Sequence, residues 1–128
     1  MSLEEHRKGI DAIDKKLVKL LNERTEHALA IGAIKLKAGE EIYAPHRERL
    51  IFQRFAKLNK GPVPDEAMRA IYREIMSCSL SLEKALTIAY LGPEATYTHQ
   101  AAIRKFGHSL RYAPQKTIKD VFSEVEKD

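Results

Sequence analysis

From Leu3 to about Lys37 the chain has no proline, and apolar residues return at steps of three and four, the period of one helix face. The pattern predicts one long amphipathic helix. At ~1.5 Å per residue it would reach roughly 50 Å, longer than a small domain is wide, so its apolar stripe calls for a second chain or a long partner helix. Ala38-Gly39-Glu40-Glu41 breaks the pattern. A second helix is predicted from Pro45 to Lys60, with proline at a first-turn position and Leu50, Ile51, Phe55 and Leu58 facing inward. Gly61-Pro62-Val63-Pro64 stops it. A third helix then runs from Pro64-Asp65 to about Leu86, its inner stripe formed by Met68, Ile71, Tyr72, Ile75, Ser79 and Leu82.

After Ala85 the pattern changes. Leu86 to Leu91 is a short apolar run of β-prone residues closed by Gly92-Pro93, which predicts a buried strand. A helix around His99 to Phe106, a short strand near Leu110 to Tyr112 and a helix from Thr117 to Val125 would follow, the opening of an alternating α/β pattern. Two short parallel strands joined by one crossover bury too little surface to stand alone. This part is therefore expected to be incomplete, docked on the helical part, or partly mobile.

Charges interrupt the apolar seam of the first helix. At coiled-coil spacing it reads Arg7, Ile10, Asp14, Leu17, Leu21, Arg24, Ala28, Ile31 and Lys35. Arg7 and Lys35 lie near the ends, where a long side chain can reach water. Arg24 falls mid-helix between Leu21 and Ala28, where an unpaired buried charge would cost several kcal/mol, so it is expected to meet an anion or a carboxylate. On the second helix Arg47 precedes Ile51 by one turn, and on the third Ser79 and Glu83 lie one turn apart. Polar groups thus converge from three helices. A pocket inside a bundle, lined by Arg, Lys, Glu and Ser, suits a small dianion, because guanidinium groups hold carboxylates through two parallel hydrogen bonds.

Composition narrows the classes further. With 44% apolar and 31% charged residues the chain can afford a packed core, and the net charge of +4 comes from interspersed signs rather than a basic block. A dedicated nucleic-acid surface is not expected; a small acidic substrate fits better. Cys78 is the single cysteine, so neither an internal disulfide nor a cysteine metal cluster can form, and a reducing cytoplasm is the natural setting. No apolar run approaches a membrane span, and the N-terminus, with Glu4, Glu5 and His6, lacks a secretory pattern. His6, His27, His46, His99 and His108 show no metal-ligand spacing and read as surface or packing residues. Cys78 reads as core, and Lys15, Lys16 and Lys19 as a solvated face.

Taken together, Arg7-Lys8-Gly9-Ile10-Asp11-Ala12-Ile13-Asp14, Arg24, Ile31-Gly32-Ala33-Ile34-Lys35 and Arg47-Glu48-Arg49 resemble the all-α chorismate mutases over about residues 3 to 86. Each motif is weak alone; their order and spacing across three helices are specific. The resemblance implies an all-α, intertwined three-helix homodimer with a long first helix and two active sites. Each site would be completed by an arginine from the other subunit, and Arg7 matches that residue. It further implies that Arg7 and Arg24 hold the carboxylates of chorismate, and that Lys35 contacts a carboxylate and the ether oxygen whose bond breaks. Arg47 would add positive field, Glu48 would accept from the substrate hydroxyl, and Ser79 would help seat a carboxylate. Glu83 falls where some members carry glutamine facing the ether oxygen, and Ala44 where some carry aspartate near the hydroxyl.

The implied reaction is a unimolecular rearrangement of chorismate to prephenate, which requires no nucleophile, metal or redox cofactor. Shape and charge suffice: the reactive diaxial conformer is held, and fixed donors face the oxygen that gains negative charge. Glu83 can donate only when protonated, so burial would have to raise its pKa against the nearby cations.

Tyr90-Leu91-Gly92-Pro93-Glu94-Ala95-Thr96-Tyr97-Thr98-His99-Gln100-Ala101-Ala102 resembles the opening of prephenate dehydratases. The expected division is a mutase domain over residues 1–87 and an incomplete dehydratase-like segment, the start of an α/β domain, over 88–128. That order is the order of the bifunctional enzymes of phenylalanine biosynthesis. The Thr-Arg-Asp catalytic stretch and the phenylalanine-sensing domain of such enzymes do not occur before Asp128, so no dehydration of prephenate is expected from this chain. Two other readings are weighed. A non-catalytic mutase-like module for dimerisation or regulation is disfavoured by the retained Arg7, Arg24, Lys35, Arg47 and Glu48, since apolar replacements would cost such a module little. A basic coiled coil binding nucleic acid would show binding that collapses with salt.

Overall fold

The computed structural model describes residues 2–84, 87–94 and 96–126. Three helices come first: α1 (Leu3–Ala38), α2 (Pro45–Leu58) and α3 (Asp65–Glu83). The remainder is β1 (Thr87–Leu91), α4 (Tyr97–Phe106), β2 (Arg111–Gln115) and α5 (Ile118–Glu126). The helical part and the α/β opening are as expected. β2 begins just past the predicted start at Leu110, and α3 stops at Glu83, short of Leu86, which itself lies outside the described residues.

Local chemistry explains the bounds of α1. Ser2 caps its first turn, its hydroxyl accepting from the Glu5 amide while the Glu5 carboxylate accepts from the Ser2 amide, both at 3.1 Å. Glu4 and Glu5 lie at the positive end of the helix dipole and Lys35 and Lys37 at the negative end. Gly39 closes the helix in the left-handed region at φ 73°, so the Gly39 and Glu40 amides reach the Leu36 and Lys35 carbonyls. Between α2 and α3, the Asn59 side-chain amide donates to the Val63 carbonyl at 2.9 Å and to Asp65 Oδ1 at 2.7 Å, fastening the turn.

Two apolar clusters hold the chain together. The first joins α2 to α3 through buried Phe52, Phe55 and Met76, with Ile51, Met68 and Tyr72 packed around them and the Phe55 and Tyr72 rings stacked at 4.8 Å. The inner face of α2 is therefore rotated from the expected one: Phe52 is buried, whereas Leu50 and Leu58 are exposed. On α3, Ile71 and Leu82 also turn outward, and the buried positions are Met76, Ser77, Ser79 and Leu80. Cys78 is exposed, which corrects its reading as core, although Ser77 and Ser79 on either side of it are buried. The second cluster is Ile42, Leu80 and Leu110 with Tyr43, Ile88, Phe106 and Tyr112, and it fastens the α/β segment to the helices.

β1 and β2 pair in parallel with Ile88 opposite Tyr112, and α4 is the crossover. Docking on α3 supplies the burial that two strands alone lack. In the chain by itself α1 buries only Gly32; Ile10, Ile13, Leu17, Val18 and Leu21 are all exposed. Among the described residues, no helix is long and apolar enough to cross a membrane.

Candidate active site

The C-terminal half of α1, the loop after it, the start of α2 and the end of α3 enclose an open cleft of about 260 Å³. Its polar lining includes Arg24 and Lys35 from α1, Arg47 and Glu48 from α2, and Ser79 and Glu83 from α3. Ala28, Ile31, Ile42, Ile51, Met76 and Leu80 supply apolar walls, and His27, Tyr43 and Ala44 complete the rim. The cleft exists because residues one helical turn apart share a face: Arg24, Ala28, Ile31 and Lys35 form one row on α1, and Ser79 and Glu83 form another on α3.

Three cations face this space unpaired, since none of Arg24, Lys35 and Arg47 forms an ion pair among the described residues. The Lys35 ammonium donates to the Ile42 carbonyl at 3.2 Å, which spends one of its three protons and fixes its direction. Ser79 is 5% exposed, and its hydroxyl lacks a hydrogen-bond partner among the described residues. A buried hydroxyl without a partner costs about 1–3 kcal/mol, so its presence in a cationic cleft points to a ligand oxygen.

Glu83 is held differently. Burial pushes its carboxyl above the ordinary carboxylate range, and Lys35 and Arg24 oppose that shift without cancelling it. The close approach of α1 to α3 that buries it is permitted by Gly32, whose missing side chain leaves room for the Glu83 methylenes.

Glu48 has a partner that its local sequence does not announce. Arg73 Nη1 donates to Glu48 Oε1 at 3.0 Å, with the two side chains 12% and 14% exposed. The Arg73 guanidinium also lies 4.9 Å from the centre of the Phe52 ring, on which Arg69 stacks at 4.2 Å. The neighbouring Tyr43 phenol is raised by burial and by Glu48, against the pull of Arg73 and Arg49.

Six of the seven expected site residues therefore line one cleft, and Arg7 does not. It is exposed near the free end of α1, about 25 Å along the helix from Arg24 at ~1.5 Å per residue. Gly32, quoted within a motif but given no role of its own, and Arg73 are the residues whose parts the sequence reading did not assign. A glycine inside a helix costs about 1 kcal/mol relative to alanine, a signal that could have marked Gly32 as a close approach. Arg73 offers no such signal, because its partner lies 25 positions away.

Among the described residues, no group of three His, Cys, Asp or Glu side chains could hold a metal ion. Comparison with known proteins identifies the family of the helical part. Residues 6–84 match the family of chorismate mutase type II, and residues 88–128 match the prephenate dehydratase family. A bifunctional chorismate mutase/prephenate dehydratase of Aquifex aeolicus (strain VF5) is 55% identical over 128 residues, covering 97% of this chain and 35% of the relative. The chain thus spans about a third of that relative's length. A chorismate mutase of Methanocaldococcus jannaschii is 38% identical over 89 residues, 70% of this chain and 87% of the relative. Among solved structures, a chorismate mutase (form II) from Thermus thermophilus superposes with a TM-score of 0.62 at 33% identity, covering 63% of this chain and 92% of that one. With three helices enclosing a cationic cleft and a match that runs through all of them, the chain belongs to the chorismate mutase type II family.

Proposed function

We propose that the cleft converts chorismate to prephenate, and that this chain carries the mutase part of a bifunctional mutase and dehydratase of phenylalanine biosynthesis. The observation that carries the reading is that, among the described residues, Arg24, Lys35 and Arg47 form no ion pair and surround a Ser79 hydroxyl without a partner and a raised Glu83 carboxyl. Arg24 and Ser79 seat a carboxylate, Arg47 adds positive field, and Glu48 accepts from the ring hydroxyl. With Ala44 in place of a second acceptor, that recognition falls to Glu48 or to backbone groups.

In the reaction the ether C–O bond breaks as a C–C bond forms within one molecule, and negative charge builds on the ether oxygen. Lys35 and protonated Glu83 are the donors to that oxygen. Both are oriented before substrate arrives, one by the Ile42 carbonyl and the other by packing against Gly32, so little reorganisation accompanies the transition state.

Two chains pair along α1 in this reading, covering its exposed Ile10, Ile13, Leu17 and Val18 and bringing Arg7 of each chain to the other's cleft. The dense exposed apolar row supports pairing, since such a stripe on a lone helix favours association. Residues 1–87 form the mutase unit and 88–128 the opening of the dehydratase-like unit, and the protein works in the cytoplasm. Disappearance of chorismate absorbance on adding purified protein, with prephenate as product, is the expected result. Absence of turnover from mildly acidic to neutral pH would overturn the reading and leave a non-catalytic helical module.

A further inference from the structure

The second apolar cluster belongs to two structures at once. Ile42 and Leu80 line the cleft, and both are buried against Leu110 of the α/β segment. The Tyr43 ring, also on the cleft rim, meets the Phe106 ring with centres 5.6 Å apart at a tilt of 60°. Ile42 is the residue whose carbonyl receives the Lys35 ammonium. We propose that Phe106 and Leu110 are positioning residues for the mutase site: by holding Ile42 and Tyr43 from behind, they set where the Lys35 ammonium points. The proposal rests on the assignment of the cleft to chorismate.

The loop between α1 and α2 needs such backing. Its backbone is tied at its start, where the Gly39 and Glu40 amides donate into the end of α1. Ile42, further along, is held by apolar burial at 8% exposure and by its bond from Lys35. Removing the Phe106 ring or the Leu110 side chain opens that burial from the side opposite the cleft. The loop then gains freedom, and Lys35 loses a fixed acceptor.

The segment that carries Phe106 and Leu110 is seated on α3 by specific polar contacts. Glu74 accepts from the His108 amide at 3.1 Å and from the His108 ring at 2.8 Å, and the Ser77 hydroxyl accepts from the Ser109 amide at 3.2 Å. Between them Gly107, at φ +81°, comes so close that a Cβ there would lie 2.5 Å from the Ser77 Cβ. Residues 106–110 are thereby held in one register against α3, close to the cleft wall but outside it.

The test uses the whole chain. In Phe106→Ala and Leu110→Ala, kcat for chorismate should fall about fivefold or more, because a misdirected Lys35 no longer meets the oxygen that gains charge in the transition state. Hydrogen exchange across residues 39–44 should speed up while α2 keeps its protection. Phe106→Leu, which refills the space with apolar atoms, should restore most of the loss, and Lys105→Ala, exposed on the same helix, should behave as wild type. Loss of α2 protection together with that of the loop would mark a general loosening of the fold and count against the proposal. Unchanged kcat and unchanged loop exchange in both alanine variants would overturn it. If the wild-type protein does not turn over chorismate, the functional assignment fails, and the exchange measurement alone still decides whether residues 106 and 110 hold the loop.

Discussion

Glu83 of α3 lies directly against Gly32 of α1: a Cβ added at Gly32 would come to 3.1 Å from Glu83 Cγ and 3.2 Å from its Cβ. Gly32 is the one residue of α1 buried within the chain, and the contact sets both the spacing of the two helices and the direction of the carboxyl. Gly32→Ala separates these effects. Alanine favours the helix by about 1 kcal/mol over glycine, so the variant should unfold at nearly the wild-type temperature. Its kcat should fall on the order of tenfold, because a displacement of a few tenths of an ångström moves a donor off the reacting oxygen. Wild-type kcat in this variant would show that Glu83 need not sit where it does.

In the proposed reaction Glu83 would also make the rate depend on pH. Burial raises its carboxyl pKa, and the protonated form is the donor, so turnover should decline as pH rises through the raised value. The same sign holds for stability: the folded state keeps the proton more tightly than the unfolded chain, so this contribution is present at acidic pH and is lost as pH rises through the folded pKa. Glu83→Gln carries a permanent donor of similar shape. Its pH profile should be flatter than that of the wild type, and an unchanged profile would remove Glu83 from the donor role.

Arg73, which does not line the cleft, holds Glu48 through its Nη1 at 3.0 Å from Glu48 Oε1. Arg73→Gln leaves a partly buried carboxylate without its cation and with at most a neutral amide donor in its place, which forfeits about 1.5–3 kcal/mol, the net worth of a hydrogen bond to a charged group. The denaturation midpoint should drop, and KM should rise as Glu48 loses its orientation. Arg73→Lys should recover part of the stability and less of the KM, since an ammonium neither forks onto a carboxylate nor stacks on Phe52 as a guanidinium does. Equal recovery of both would mean that charge alone matters there.

The proposed exchange of Arg7 between chains has a direct test by mixing. Arg7→Ala and Arg24→Ala should each be nearly inactive alone. Refolded together at equal amounts, half the dimers are mixed, and each of these holds one site with both arginines, so activity should return to about a quarter of wild type for a twofold-symmetric pair. Inactivity that persists in the mixture would rule out the exchange of Arg7 between chains.

Much of this protein is decided along the chain itself. Ser2 and Gly39 bound α1 by chemistry that acts within little more than one turn, and prolines and glycines divide the remaining helices. That Arg24, Lys35, Ser79 and Glu83 line one cleft was legible because helical periodicity puts residues one turn apart on one face. The change to strand at β1 was visible in its apolar run, and the parallel pairing followed from a crossover helix between two short strands.

What only the tertiary structure decided is how each helix is rotated about its axis and which distant residues then meet. A stripe wide enough to include Leu50, Phe52, Phe55 and Leu58 leaves the choice of inward residues to the partner surface, and the packing of α3 chose Phe52 and Phe55. The same rotation put Cys78 outside and Ser77 inside, because exposure on α3 depends on what lies beside it at each position. The Arg73 to Glu48 pair and the seat of Phe106 and Leu110 behind Ile42 join residues far apart in sequence. Such contacts leave no local periodicity to read, since their energy appears only once the chain has brought the surfaces together.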